Sequence, residues 1–162
     1  MTLLVTYASK HGSTREIAER IAEKLRQMGQ EADVHPVDEV LNPERYTAFV
    51  IGSAIYYGSW LKEATGWIHR NQAVLAEHPV WLFSVGPLGT EVQDTEPQPK
   101  EQAEFQQTIR PREQRIFFGV LDHSHLSFTE RMLVKAIRAP EGDFRNWQVI
   151  EAWAASIARD LG

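Results

Sequence analysis

Leu3-Leu4-Val5-Thr6-Tyr7-Ala8-Ser9-Lys10-His11-Gly12-Ser13-Thr14-Arg15-Glu16-Ile17-Ala18 is the stretch on which the reading of this chain turns. Leu3 to Tyr7 are strand formers that give way to small and polar residues, the pattern of a buried parallel strand where it leaves a sheet. From Ser13 to Met28 the apolar period changes: Ile17, Ile21, Leu25 and Met28, with Ala18 and Ala22 beside them, recur at helical spacing, and Gly29 closes the segment. Between strand and helix lies Ser9-Lys10-His11-Gly12-Ser13-Thr14. Hydroxyls at Ser9, Ser13 and Thr14 can donate to phosphate oxygens, Gly12 lets a backbone come close, and the N–H groups of a helix start favour an anion. Lys10, His11 and Arg15 can add charge, although Arg15 fits solvent equally well. Taken alone, the same residues also describe an ordinary helix cap. Neither the P-loop nor the dinucleotide-binding glycine fingerprint is present.

Outward from this stretch, strand and helix signals alternate. Ala32 to Val37 reads as a second strand, placed at an edge by Pro36. Tyr46 to Ala54 is nearly continuous apolar sequence and predicts a strand buried on both faces. A helix from about Leu61 to Ala76, weakened by Gly66, precedes a fourth strand at Val80 to Val85. Thr90 to Glu113 is polar, carries Pro97, Pro99 and Pro111, and reads as an exposed crossover with a short helix near Lys100 to Ile109. Arg115 to Leu121 is the fifth strand, Ser127 to Ala139 is amphipathic, and Asn146 to Leu161 is a final helix with Asp143 or Asn146 as its cap. The alternation predicts an α/β fold with a doubly wound parallel sheet. The 162 residues suit one domain over 1–162, and no internal repeat or linker divides them.

Composition narrows the function. A formal charge of -5 argues against nucleic acid as a partner. The absence of cysteine excludes disulfides, thiolate metal sites and cysteine nucleophiles, and no metal site is expected. The N-terminus has no basic leader and no apolar run reaches the ~18 residues of a membrane span, so a cytoplasmic location is expected. A receiver domain would need acidic residues where Tyr7-Ala8-Ser9 and Ser53-Ala54 stand. A hydrolase elbow of the G-x-S-x-G type is also missing.

The strand, the loop Ser9 to Thr14 and the helix after it resemble the phosphate loop of flavodoxins. The next two strand ends, Ser53-Ala54-Ile55-Tyr56-Tyr57-Gly58-Ser59-Trp60 and Ser84-Val85-Gly86-Pro87-Leu88-Gly89-Thr90, carry what that family places there. The resemblance implies a flavodoxin-like three-layer sandwich with a five-stranded sheet of order 2-1-3-4-5 and helices on both faces. It implies one FMN, its phosphate on residues 9–14, with Tyr56, Tyr57 and Trp60 available to pack on the flavin and the backbone of 84–89 at the pyrimidine edge. Many electron carriers of the family cover the outer flavin face with a tyrosine where this chain has Pro87 and Leu88, which implies an open face.

Residues 9–18, 51–58, 83–86 and 119–121, followed by a basic amphipathic helix, are similar to the menaquinone-dependent protoporphyrinogen oxidase branch of that family. That likeness implies FMN-dependent removal of hydride equivalents from a porphyrinogen, with electrons passed to a quinone. Asp122, His123 and His125 could handle protons near the flavin edge, or be surface residues only. Helix 127–139, with Arg131, Lys135 and Arg138, either covers the sheet or seats the chain peripherally on an anionic bilayer, such as the inner face of a membrane. The alternatives are a carrier docking on redox protein partners through Glu91, Asp94 and Glu96, and a flavin-free domain that kept the fold.

Overall fold

The computed structural model describes residues 2–9, 12–56, 58–86, 101–118, 120–121, 142–143 and 145–162. Its central strands are the apolar runs of the sequence: β1 (Thr2–Ala8), β2 (Glu31–Pro36), β3 (Ala48–Tyr56), β5 (Val80–Gly86) and β6 (Glu113–Phe118). A two-residue strand, β4 (Ser59–Trp60), folds back on β3. The sheet order is β2-β1-β3-β5-β6, and every neighbouring pair on that path is parallel. With β4 set aside, this is the order expected from the sequence. The Pro36-containing strand lies at the edge, where a missing ladder donor is tolerated.

Parallel strands need crossovers, and these put a helix layer on each face of the sheet. α1 (Ser13–Gln27) and the last helix, α5 (Trp147–Leu161), cover one face. There Leu3, Val5, Val50, Trp81, Phe83 and Phe117 of the strands meet Ile17, Ile21, Leu25, Ile150, Trp153 and Ile157 of the helices. α2 (Lys62–Arg70), α3 (Gln72–Ala76) and α4 (Gln102–Thr108) belong to the opposite face. There Leu4, Phe49, Ile51 and Leu82 bury Trp67, Ile68, Leu75 and Phe105. Alternation along β1 divides the two cores, since successive side chains of a strand point to opposite faces.

Three stretches depart locally from the sequence reading. The helix expected over Leu61 to Ala76 is broken at Asn71 rather than weakened at Gly66: Asn71 leaves helical geometry at φ -115° and ψ 19°, and its side-chain amide and backbone N–H both donate to Trp67 O, at 2.8 and 3.1 Å. Gly66 stays inside α2, where a Cβ would meet only the Arg70 guanidinium at 3.3 Å. The segment 53–60 is not a simple loop: β3 continues to Tyr56, and Gly58, at φ 77°, lets the chain reverse into β4. The fifth strand begins at Glu113, and Val120–Leu121 pairs instead with Gly142–Asp143 as a separate antiparallel ribbon of β7 and β8.

Asn146, one of two capping residues considered, caps α5 by accepting from Val149 N at 3.2 Å. The expected amphipathic helix over 127–139 and the acidic residues Glu91, Asp94 and Glu96 lie outside the described residues. No helix among the described residues is long and apolar enough to cross a membrane.

Candidate functional site

The register of the sheet decides which loops meet. Ala8 pairs with Ser53, and Ser53 pairs with Ser84, so the carboxyl ends of β1, β3 and β5 finish in one row. The chain leaves β1 toward β2 on one side, while β3 stands on the other. Such a switch in strand order opens a crevice at the carboxyl edge. Residues from Ser9, from Ala54 and from Val85 therefore converge there.

The first of these loops differs from an ordinary helix cap. Gly12 stands at the N-cap of α1 with φ 90°, and no side chain caps the helix. The Ser9 hydroxyl accepts from Gly12 N at 2.9 Å, which closes the loop but leaves the first-turn N–H groups of α1 uncapped. Thr14 is fully buried, and its Oγ1 has no hydrogen-bond partner among the described residues. A buried hydroxyl without a partner costs free energy, and an anion at the end of a helix would both satisfy it and meet the positive end of the dipole. Arg15 is turned away from this function: it is exposed and pairs with Glu19 at 3.5 Å, one helical turn on. Ser13 is half-buried beside Thr14. Lys10 and His11 lie outside the described residues.

The hairpin β3–β4 forms the second wall. The Ser53 hydroxyl accepts from Leu61 N at 3.0 Å and donates to Ala54 O at 2.9 Å, so it fixes the chain's entry into α2. Ile55 is buried at 6% exposure and Ala54 is half-buried. The backbone of Tyr56 ends β3 at the crevice; its side chain, and the whole of Tyr57, are outside the described set.

Trp60, one of three aromatics available to pack on the flavin, is instead committed within the protein. Its indole is 4% exposed, donates from Nε1 to Ser84 Oγ at 2.8 Å, and tilts against Phe105 at 5.1 Å between centroids. Its backbone N–H donates to Glu101 Oε1 at 3.1 Å. Trp60 is therefore a brace between the second and third walls. No single-residue signal marked it, because its partners stand 24 and 41 positions away in the chain.

At the third wall, Val85 is buried against the α1 and α5 face, and Gly86 pairs with Phe118 at the end of β5. Pro87, Leu88 and Gly89 lie outside the described residues, as do Asp122, His123 and His125. No group of three or more His, Cys, Asp or Glu residues suited to a metal occurs among the described residues.

The flavodoxin domain model matches residues 4–147 of the chain. The chain belongs to the flavodoxin family. FMN is the cofactor that this membership implies, and the uncapped α1 start with its unpartnered Thr14 hydroxyl is a fit for a phosphate. Among curated relatives, the chain is 27% identical over 171 aligned positions to a protoporphyrinogen IX dehydrogenase (quinone) of Escherichia coli, covering 99% of this chain and 94% of that one. Among solved structures, a flavodoxin from the domain Archaea superposes with a TM-score of 0.66 at 16% identity, covering 99% of each chain. The flavodoxin of Streptococcus pneumonia TIGR4 gives 0.62 at 15% identity, again over 99% of both. At such identities the structural likenesses speak for the fold of this flavodoxin-family chain.

Proposed function

We propose that this chain is an FMN-dependent oxidoreductase of the protoporphyrinogen dehydrogenase type. The observation that carries the reading is the alignment with the Escherichia coli dehydrogenase, which runs through nearly the whole of both chains rather than through a shared loop. In this reading Ser9, Gly12, Ser13 and Thr14, with Lys10 and His11, hold the FMN phosphate. Residues Ser53 to Gly58 flank the flavin on one side, and the backbone from Ser84 through Val85, Gly86, Pro87 and Leu88 to Gly89 meets its pyrimidine edge.

When bound, FMN supplies the capacity to accept hydride equivalents from a reduced porphyrinogen and release electrons to a quinone. The chain's part is position. The α1 start fixes the phosphate end, and the Trp60–Ser84 hydrogen bond holds the second and third walls in one spacing. His123 and His125 are the proton-handling residues in this proposal, and the segment 127–139, with Arg131, Lys135 and Arg138, provides the peripheral contact with a quinone-bearing membrane on the cytoplasmic side.

The test is to supply the FMN-loaded protein with protoporphyrinogen and menaquinone and follow the growth of porphyrin fluorescence. Turnover that needs both FMN and quinone is the expected result. A yellow protein that shows no turnover with either substrate would instead make the chain an electron carrier for redox protein partners.

A further inference from the structure

Among the described residues, Arg15, Glu16 and Arg20 at the start of α1 are each paired, one within the helix and two across the seam with the end of the chain. Arg15 pairs with Glu19 within the helix at 3.5 Å, and Arg20 pairs with Glu151 of α5 at 3.1 Å. Glu16, in the first turn and only two residues beyond Thr14, is 58% exposed and has no basic partner on its own helix among the described residues. Its carboxylate is met by the guanidinium of Arg145, which lies 129 positions later in the chain, just before α5. Arg145 is held in place: its side chain is only 10% exposed, and its guanidinium lies 4.6 Å from the centroid of the Trp147 ring. Arg20 lies 4.4 Å from the centroid of the same ring, so Trp147 ties both basic residues to the α1–α5 seam.

A carboxylate in the first turn favours the helix but opposes a second anion at the same terminus. We propose that Arg145 tunes the anion affinity of the α1 loop by cancelling the charge of Glu16, which makes the pair a determinant of FMN over its unphosphorylated analogue riboflavin. The proposal rests on the reading of 9–14 as the phosphate site. Arg145 acts through Glu16 and through the field it sets, as a positioning residue.

The charge account differs in sign from a tethering account. Loss of the cation leaves the Glu16 charge opposing the phosphate, whereas loss of the carboxylate removes a negative charge from the same helix start. The experiment titrates FMN and riboflavin separately into flavin-free wild type, Arg145→Gln, Glu16→Gln and the double variant, following flavin fluorescence at low salt. For FMN, Arg145→Gln should weaken binding by about threefold to tenfold, Glu16→Gln should tighten it by about twofold to threefold, and the double variant should return to within about twofold of wild type. Riboflavin should change by less than about twofold in every variant, and the FMN differences should shrink as salt screens the charges.

Weaker FMN binding in Glu16→Gln, a double variant no better than Arg145→Gln, or parallel losses for riboflavin would overturn the proposal in favour of a structural tether. If wild type takes up no FMN at all, the phosphate-site reading falls and the pair with it; if wild type binds FMN but the variants show the wrong pattern, only the pair falls.

Discussion

Thr14 sits fully buried with its Oγ1 unsatisfied among the described residues, at a helix start that has no side-chain cap and lies beside the row of strand ends. This arrangement sets stability against binding, because the protein alone would be better served by a methyl group there. Thr14→Val should therefore raise the melting stability of the flavin-free protein by about 1 kcal/mol while weakening FMN binding about tenfold. Urea unfolding and FMN titration of the same variant check the two halves, and a variant that loses stability would mean the hydroxyl has a partner within the protein. Gly52 poses the opposite case, in which a side chain is excluded by packing rather than by a ligand. The Phe83 ring lies over it, and an added Cβ would stand 2.0 Å from that ring. Gly52→Ala should cost about 3 kcal/mol by overpacking. An unchanged urea midpoint would show that Phe83 can move aside.

At the scale of elements, the hairpin β3–β4 matters most, since it turns the end of a buried strand into a wall and locks that wall to its neighbour. The lock is the indole of Trp60 on Ser84. Trp60→Phe keeps the ring against Phe105 but removes the donor, and it should cost about 1–2 kcal/mol and weaken flavin binding, readable as a lower urea midpoint and a raised FMN Kd. Full retention of both would reduce Trp60 to a filler of the core. The elements themselves were legible where burial leaves a continuous signal. β3 and β5 are nearly continuous apolar runs because both faces are covered, and α1 repeats Ile17, Ile21 and Leu25 along one buried stripe. β4 was not legible, because two residues carry no period. The break at Asn71 was not legible either, since it is a departure of one residue's backbone, φ -115° and ψ 19°, inside a stretch whose apolar period continues. Likewise the sequence left Trp60 open between flavin and core because its hydrogen-bond partners are distant in the chain, and the Glu16–Arg145 pair left no local pattern at all.

In the whole molecule, one sheet separates two cores and gathers three loop starts at its carboxyl edge, so the fold and the site are consequences of the same register. That is why the family could be read from three short stretches, and why the phosphate loop alone could not establish it. Two tyrosines connect the folded state to alkaline pH. Tyr7 is raised above the ordinary tyrosine value mainly by burial, with Arg15 opposing and Glu19, Glu39 and Asp38 adding to the rise. Tyr46 is raised by burial and then by its hydrogen bond to Asp33, at 3.0 Å. The folded chain therefore keeps these protons to higher pH than the unfolded chain does. Their contribution to stability is complete below the ordinary tyrosine pKa and is lost as the pH climbs past about 10. Urea midpoints should be lower at about pH 10.5 than at about pH 8, with Tyr46→Phe reducing the decline. An equal decline in that variant would assign the effect to other groups.

The central claim is that the edge formed by β1, β3 and β5 holds FMN by its phosphate. Titrating FMN and then riboflavin into the flavin-free protein tests it most directly. One FMN per chain, bound with a change in flavin fluorescence and far more tightly than riboflavin, is the predicted result. A chain that binds neither flavin, or binds both equally, would contradict it.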